Sequence, residues 1–326
     1  MADSVADRQF QDAPIVSVAI TAYNSAAWLP RSIESALAQR TDFPVEIVVG
    51  DDCSSDSTVA VARSYQQHHP GRIRVIERTA NVGIQRNYFE TFEQCRGRYI
   101  AWLDADDQWT DPQKLAIQVA ALESDPTINA CGHYVRWVND ASNVTRERYP
   151  GVAPGRYGLA DILRSNLLPT LSVVFRNGIQ RGLPAWYFEI APMTDWPIWV
   201  LAALSGDILL LDRTMADYRV TPGSAMISKG QLYWYQTDSR FYEKVEDILP
   251  AKWHRLVRRE KGRRYEAMAY LLRKQGALAE SRRAAVKAFL APYPLDNLVS
   301  KTRTVLASIL REAQGKLRRT RTEIPS

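Results

Sequence analysis

RYIAWLDADD, residues 98–107, decides the fold of this chain. An apolar, aromatic-rich run ends abruptly in Asp104, Asp106 and Asp107. That is how a buried strand meets a polar sheet edge. Outward from it the same transition recurs. IVSVAIT (15–21) runs into Ala22–Ser25, VEIVVG (45–50) runs into the polar turn Asp51–Asp56, and RIRVIE (72–77) reads as a further strand. Between these runs, helical spacing predicts helices over about 26–39, 57–67 and 84–95, and another opened by Pro112 and running to about 123. Strands alternating with helices predict βαβ units, hence an α/β, mostly parallel sheet with helices on both faces. Ligands of such sheets sit beyond the carboxyl ends of the strands, and the polar clusters at 21–24, 51–52 and 104–107 all fall there.

The 326 residues are 46% hydrophobic and 24% charged, which excludes a disordered or collagen-like chain. The three cysteines show no metal spacing and read as thiols of a reducing compartment. The first dozen residues are acidic and polar, so they are expected to be a flexible N-terminus and not a secretory signal. Charge is asymmetric: residues 251–326 hold 19 Lys and Arg against 6 Asp and Glu, leaving 23 against 30 in residues 1–250. An acidic body with a basic tail argues against nucleic acid as partner, because such proteins carry basic charge on the body as well.

Asp104 and Asp106, two apart, can both reach one cation if the strand ends in a turn. Oxygen-only donors fit Mg²⁺ or Mn²⁺ on a diphosphate, and no His or Cys cluster favours zinc. The competing reading is an acidic loop capping the next helix. No glycine-rich phosphate loop is present, so a metal is the remaining way to hold a nucleotide diphosphate. Asp195, in PMTDWPIW (192–199), has two readings: a desolvated general base among aromatics, or the N-cap of the helix that follows.

Together these motifs resemble those of inverting family 2 glycosyltransferases with the GT-A fold, a Rossmann-like α/β domain. VSVAITAYN resembles the opening strand, VVGDDCSSDST the nucleotide-binding turn, and NVGIQRNYFETF the Asn-x-Gly helix start. GRYIAWLDADDQW resembles the metal-binding strand end, and TDWPIWVLAALSGDILLLDRTMADYRV the catalytic-carboxylate helix with its following strands. The likeness covers roughly residues 15–225. It implies that Thr21 and Tyr23 flank the nucleobase, with Asn24 beside them, and that Asp52, with its neighbour Asp51, accepts a hydrogen bond from a uracil-type ring. It implies Arg86 and Asn87 near the diphosphate or sugar, Asp104 near the ribose or metal, Asp106 as metal ligand, and Asp195 as base. The implied reaction is a single displacement from a nucleotide-sugar donor, UDP-sugar favoured, with inversion.

Two departures from the family pattern stand out. Cys53 occupies a position that is often Gly, and Thr221 one that is often His near the diphosphate or metal; Arg219 and Ser224 are candidates to share that role. On the acceptor side, LPTLSVVFRNG (168–178) reads as a strand and turn, with Arg176 a candidate for an anionic acceptor such as a lipid diphosphate. Trp186, Tyr187 and Trp196 are either sugar-stacking or core residues. The expected organisation is a flexible segment 1–12, a catalytic domain 13–228 and a helical region 229–326. The region's basic amphipathic stretch, about 296–321, either lies on an anionic membrane or packs on the body. A saccharide or lipid-linked saccharide acceptor and a cytoplasmic place, peripheral on the inner membrane, follow from the resemblance and that tail. The competing functions are a catalytically silent binding protein at the membrane and a sugar-phosphate nucleotidyltransferase.

Overall fold

A computed structural model of the chain describes residues 13–220 and 229–291. The expectations for 1–12, for Thr221 and Ser224, and for the tail at 296–321 therefore lie outside the described residues. The chain falls into two compact units, Met1–Pro222 and Gly223–Ser326.

The first unit is built on β1 (Val16–Ala22), β2 (Val45–Asp51), β3 (Ile73–Glu77) and β4 (Tyr99–Asp104), with α1 (Leu29–Leu37), α2 (Thr58–His68) and α3 (Ile84–Glu93) between them. β5 (Gln108–Trp109), α4 (Lys114–Ser124), β6 (Ile128–Val138), β7 (Val144–Tyr149) and β8 (Gly155–Tyr157) follow. The unit is completed by α5 (Leu159–Arg164), β9 (Val174–Arg176), α6 (Trp196–Ser205) and β10 (Asp207–Arg219). The sheet order is β3-β2-β1-β4-β9-β6-β10-β5, with β7 on β6 and β8 on β10. β3, β2, β1 and β4 are mutually parallel, as is the pair β6–β10. β9 runs antiparallel between β4 and β6, and β5 antiparallel to β10. The order climbs outward from β1 to β3 and then restarts at β4 on β1's other side. That reversal opens a crevice beyond the ends of β1 and β4, which positions Thr21–Asn24 beside Asp104–Asp107.

The apolar runs of β1 and β4 are buried end to end because both sheet faces are covered. One layer collects Leu29, Ile33 and Ala36 of α1 with Leu115, Val119 and Leu122 of α4. Elsewhere the core is aromatic: Trp102 meets Tyr88 at 4.6 Å, Phe92 at 4.8 Å and Trp199 at 5.9 Å between ring centroids. At Gly50 a Cβ would come within 1.9 Å of Thr91 Oγ1, so only glycine lets α3 lie this close to β2.

The second unit contains α7 (Gly230–Lys244), α8 (His254–Lys274) and α9 (Leu278–Leu290), which is the helical region expected from the sequence. Ala269 and Leu272 of α8 pack on Ala284 and Ala285 of α9. The buried Glu260 is held by Arg259 and Arg263. Among the described residues no helix is long and apolar enough to cross a membrane.

Candidate active site

The loop after β1 and the turn after β2 are laced together. Asn24 and Cys53 both adopt left-handed backbone, with φ of 50° and 60°. Asn24 Oδ1 accepts from the Ser55 amide at 2.9 Å, and its own amide donates to Ser54 Oγ at 2.9 Å. Asp51, buried, accepts from the Ser54 amide and hydroxyl. Asn24 and Asp51 therefore shape the rim of the crevice. Tyr23 stands out from it, 52% exposed, as an unusually open aromatic.

Asp52 is buried, and both its oxygens receive backbone amides at the start of α3: Val82 N at 2.7 Å and Gly83 N at 3.0 Å. Gly83 has φ of 86°, a conformation glycine adopts without strain. Two residues on, Gln85 Nε2 donates to Tyr187 O at 2.7 Å and Met193 O at 2.8 Å, fixing the loop that leads to Asp195. Asn87 turns inward and donates to the carbonyls of Gly50 at 3.1 Å and Ala22 at 3.5 Å, so its amide joins the strand ends. Arg86 is exposed, 4.7 Å over the Phe188 ring and 3.8 Å from Glu90.

The carboxylates after β4 differ from one another. Asp104 Oδ1 accepts from Tyr88 and from Trp102 Nε1 at 3.3 Å, and Oδ2 accepts from Thr170 at 2.8 Å. Burial raises its pKa against the pull of these donors. Asp106 is open to solvent, yet the surrounding protein and the charge of Asp104 push its pKa up to about 6. Asp107 is buried; Oδ1 accepts from the Arg219 amide at 2.7 Å, whereas Oδ2 has no hydrogen-bond partner. Burial and the neighbouring charges of Asp106 and Asp104 lift its pKa well above the usual range. Among the described residues no group of three His, Cys, Asp or Glu is arranged to enclose a metal by itself. Crowded carboxylates, only partly offset by Arg219 and with one orphaned oxygen, fit a hard cation that takes its other ligands from a diphosphate.

Arg219 lies against this loop. Its Nε donates to Asp106 O at 3.0 Å, its NH1 to Asn139 O at 2.7 Å, and its guanidinium sits 4.3 Å over the Trp28 ring. It braces the Asp104–Asp107 turn from behind.

Asp195 caps α6, its Oδ1 accepting from Trp196 N at 2.8 Å; its Oδ2 accepts from Asn166 Nδ2 at 2.9 Å. Burial raises its pKa, opposed by the Asn166 hydrogen bond and helped by the charge of Asp104. The capping reading holds, and the second oxygen is left to the Asn166 amide.

Two expected acceptor contacts are not brought to the crevice. Arg176 ends β9, which runs antiparallel to β4, so it pairs with Tyr99 at the opposite edge of the sheet. Its guanidinium donates to Ile128 O at 2.9 Å and Leu122 O at 2.7 Å. Trp196 is buried, with Nε1 on Ile162 O at 2.7 Å, and serves the core. Tyr88, Thr170 and Asn166, which do hold the site carboxylates, were not anticipated. Their partners lie 16, 66 and 29 positions away, and no local spacing announces them.

The family model for Glycosyl transferase family 2 matches residues 17–178. An uncharacterized protein of Mycobacterium tuberculosis (strain ATCC 25618 / H37Rv) is 34% identical over 206 residues, covering 63% of this chain and 58% of that protein. An uncharacterized glycosyltransferase of Nostoc sp. is 30% identical over 220 residues, covering 63% and 64%. The chain thus spans about three-fifths of the length of these curated relatives. Among solved structures, S. aureus TarS 1–349 in complex with UDP-GlcNAc aligns with a TM-score of 0.61 at 17% identity, over 90% of this chain and 88% of that one. The Pyrobaculum calidifontis mannosyltransferase PcManGT, in complex with GDP-Man and Mn²⁺, aligns with a TM-score of 0.59 at 19% identity, over 92% and 82%. The fold is that of the GT-A glycosyltransferases, and residues 17–178 carry a glycosyltransferase family 2 domain, a domain of enzymes.

Proposed function

We propose that this chain transfers a sugar from a nucleotide diphosphate donor, UDP-sugar favoured, to a hydroxyl of a saccharide or lipid-linked saccharide, with inversion and with a divalent cation. The observation that carries the reading is the pairing of a crowded carboxylate turn at the end of β4, with Asp107 Oδ2 unpartnered, with a separately held, desolvated carboxylate at the head of α6. The nucleotide complexes of the structural neighbours support a nucleotide-sugar donor, and the Mn²⁺ of one supports the metal.

In this reading Tyr23 offers its open ring to the base, and Thr21 and Asp52 line the same edge, with Asn24 and Asp51 shaping it. Each Asp52 oxygen keeps a second lone pair beyond the one used by the amides of Val82 and Gly83. Asp106 would hold Mg²⁺ or Mn²⁺, assisted by Asp104. When bound, such a cation offsets the charge that develops on the departing diphosphate. Arg86 supplies a further positive charge at the rim, while Asn87 and Arg219 keep the strand ends and the carboxylate turn in place.

Asp195 removes the proton from the acceptor hydroxyl as that oxygen attacks the anomeric carbon. Its raised pKa makes it a stronger base than an exposed carboxylate. Asn166 and the Trp196 amide fix both of its oxygens, so the base meets the acceptor in one orientation. One displacement inverts the anomeric centre and needs no covalent sugar–enzyme intermediate. A cytoplasmic place beside an anionic membrane, and the division into a catalytic domain 13–228 and a helical region 229–326, belong to the same proposal.

The deciding test is calorimetric titration of UDP, dTDP and GDP, with and without Mn²⁺, on the wild type and on Asp106→Asn. Metal-dependent binding of one nucleotide, weakened in the variant, is the expected result. If no nucleotide binds in either metal state, the donor reading is overturned and the silent binding protein takes its place.

A further inference from the structure

Beyond the carboxylates, a group of aromatic side chains packs against the edge of the core with part of each ring left open. Trp137 on β6 and Tyr218 on β10 are direct cross-strand partners, with ring centroids 6.3 Å apart. Tyr149, the last residue of β7, closes on Trp137 at 5.1 Å. All three are partly exposed, whereas Trp102, Trp196 and Trp199 are sunk in the interior. Arg146, the cross-strand partner of Trp137, lies outermost, its guanidinium 5.2 Å from the Trp137 ring and 4.9 Å from the Tyr149 ring.

The charges around this platform are uneven. Arg136 pairs with Asp217 and Arg148 with Asp212. Among the described residues no carboxylate pairs with Arg146, whose guanidinium lies against the two rings. An exposed guanidinium stacked on aromatics and lacking an anion keeps its donor fork available.

The platform also lies where an acceptor must pass. The Tyr149 phenol is within electrostatic reach of Asp195, and the Tyr218 phenol within reach of Asp104, Asp106 and Asp107. Tyr218 also directly precedes Arg219, whose amide donates to Asp107 Oδ1 at 2.7 Å, so the aromatic group flanks the carboxylate turn.

We propose that Trp137, Tyr149 and Tyr218 form a stacking subsite for an acceptor pyranose that bears an anionic group, with Arg146 as the partner of that group. The proposal rests on the glycosyltransferase reading and deepens it. The axial C–H faces of a pyranose pack on aromatic rings, and Arg146 reads a carboxylate or a phosphate through two parallel N–H donors. Displacing the guanidinium from the rings onto the anion uncovers the stacking surface as the charge is met.

The test uses the full chain as wild type, Tyr149→Ala, Tyr149→Phe and Arg146→Ala, each first titrated with UDP and Mn²⁺. The probes are a hyaluronan disaccharide (uronate), glucose 6-phosphate (phosphate) and chitobiose (neutral), followed by saturation-transfer NMR with and without nucleotide. At least one anionic probe is expected to bind about tenfold more tightly than chitobiose, and which one names the anion. Tyr149→Ala should weaken every probe about tenfold while Tyr149→Phe retains them. Arg146→Ala should abolish the anionic preference and leave chitobiose unchanged. Equal probe binding by wild type and Tyr149→Ala overturns the subsite, as does a wild type that binds UDP but no probe. Absence of UDP binding overturns the donor reading instead, and the nucleotide-free titrations still decide the subsite.

Discussion

Asn166 Nδ2 donates a 2.9 Å hydrogen bond to Asp195 Oδ2, while the carbonyl oxygen of the same amide is buried with no hydrogen-bond partner. The amide is committed to the carboxylate at the cost of its own acceptor. Such a one-sided arrangement persists when the orientation of the carboxylate matters.

Asn166→Ala removes a donor that favours the charged form of Asp195. The folded-state pKa of Asp195 should climb further, moving the acidic limb of the kcat–pH profile upward by about one unit. The donor KM should be unchanged. A profile identical to wild type would mean that Asn166 serves packing alone.

Asp195→Asn keeps the N-cap geometry and loses the base. Transfer should fall by about a thousandfold, within the range for general bases, with UDP affinity intact by calorimetry. Because burial raises the Asp195 pKa, the wild-type rate should decline on acidification at a pH above the ordinary Asp value of 3.8. The charged form is the active one, so activity is present above that pKa and lost below it.

Lys114 is wholly buried, with Nζ unpartnered and 4.1 Å over the Trp109 ring. Burial pushes its pKa down to about 7 from 10.5. Between those values the unfolded chain holds a proton that the folded chain has released, so this group makes stability rise with pH across that window; below about 7 its slope vanishes. Lys114→Met should lose this rise, and gain about 1–2 kcal/mol at pH 7 in urea unfolding by removing an unpaired buried amine.

Cys53 stands in the left-handed region at φ 60° and is exposed. Cys53→Gly should raise the urea midpoint by about 1 kcal/mol of stability, and Cys53→Val should lower it comparably. Little change in nucleotide binding is expected from Cys53→Gly, because the turn keeps its Asp51 and Asn24 contacts.

The parallel half of the sheet was legible because β1, β2, β3 and β4 are continuous apolar runs ending in polar turns. Their observed ends fall within one residue of those read from the sequence. TDWP announced both the cap and the candidate base, since a helix N-terminus needs an oxygen acceptor wherever it lies. Strand direction was not legible. A strand ending in Arg176 reads the same forward or reversed, and the antiparallel insertion of β9 carries that arginine to the far edge. Nor was the support of the carboxylates legible: Tyr88, Thr170 and Asn166 gain their roles through contacts that only the closed fold creates. For Trp196 the sequence left stacking and core packing both open, and only the closed fold decides for the core.

The first turn of α3 receives Asp52 through the amides of Val82 and Gly83 and grips the stretch before Asp195 through Gln85. A bench vice works because both jaws run on one bed, and this helix terminus is such a bed. The Asp52 end and the Asp195 end of the crevice take their spacing from one short piece of backbone. An insertion elsewhere in the loops can reshape what enters between them and leave the gauge of the crevice as it was.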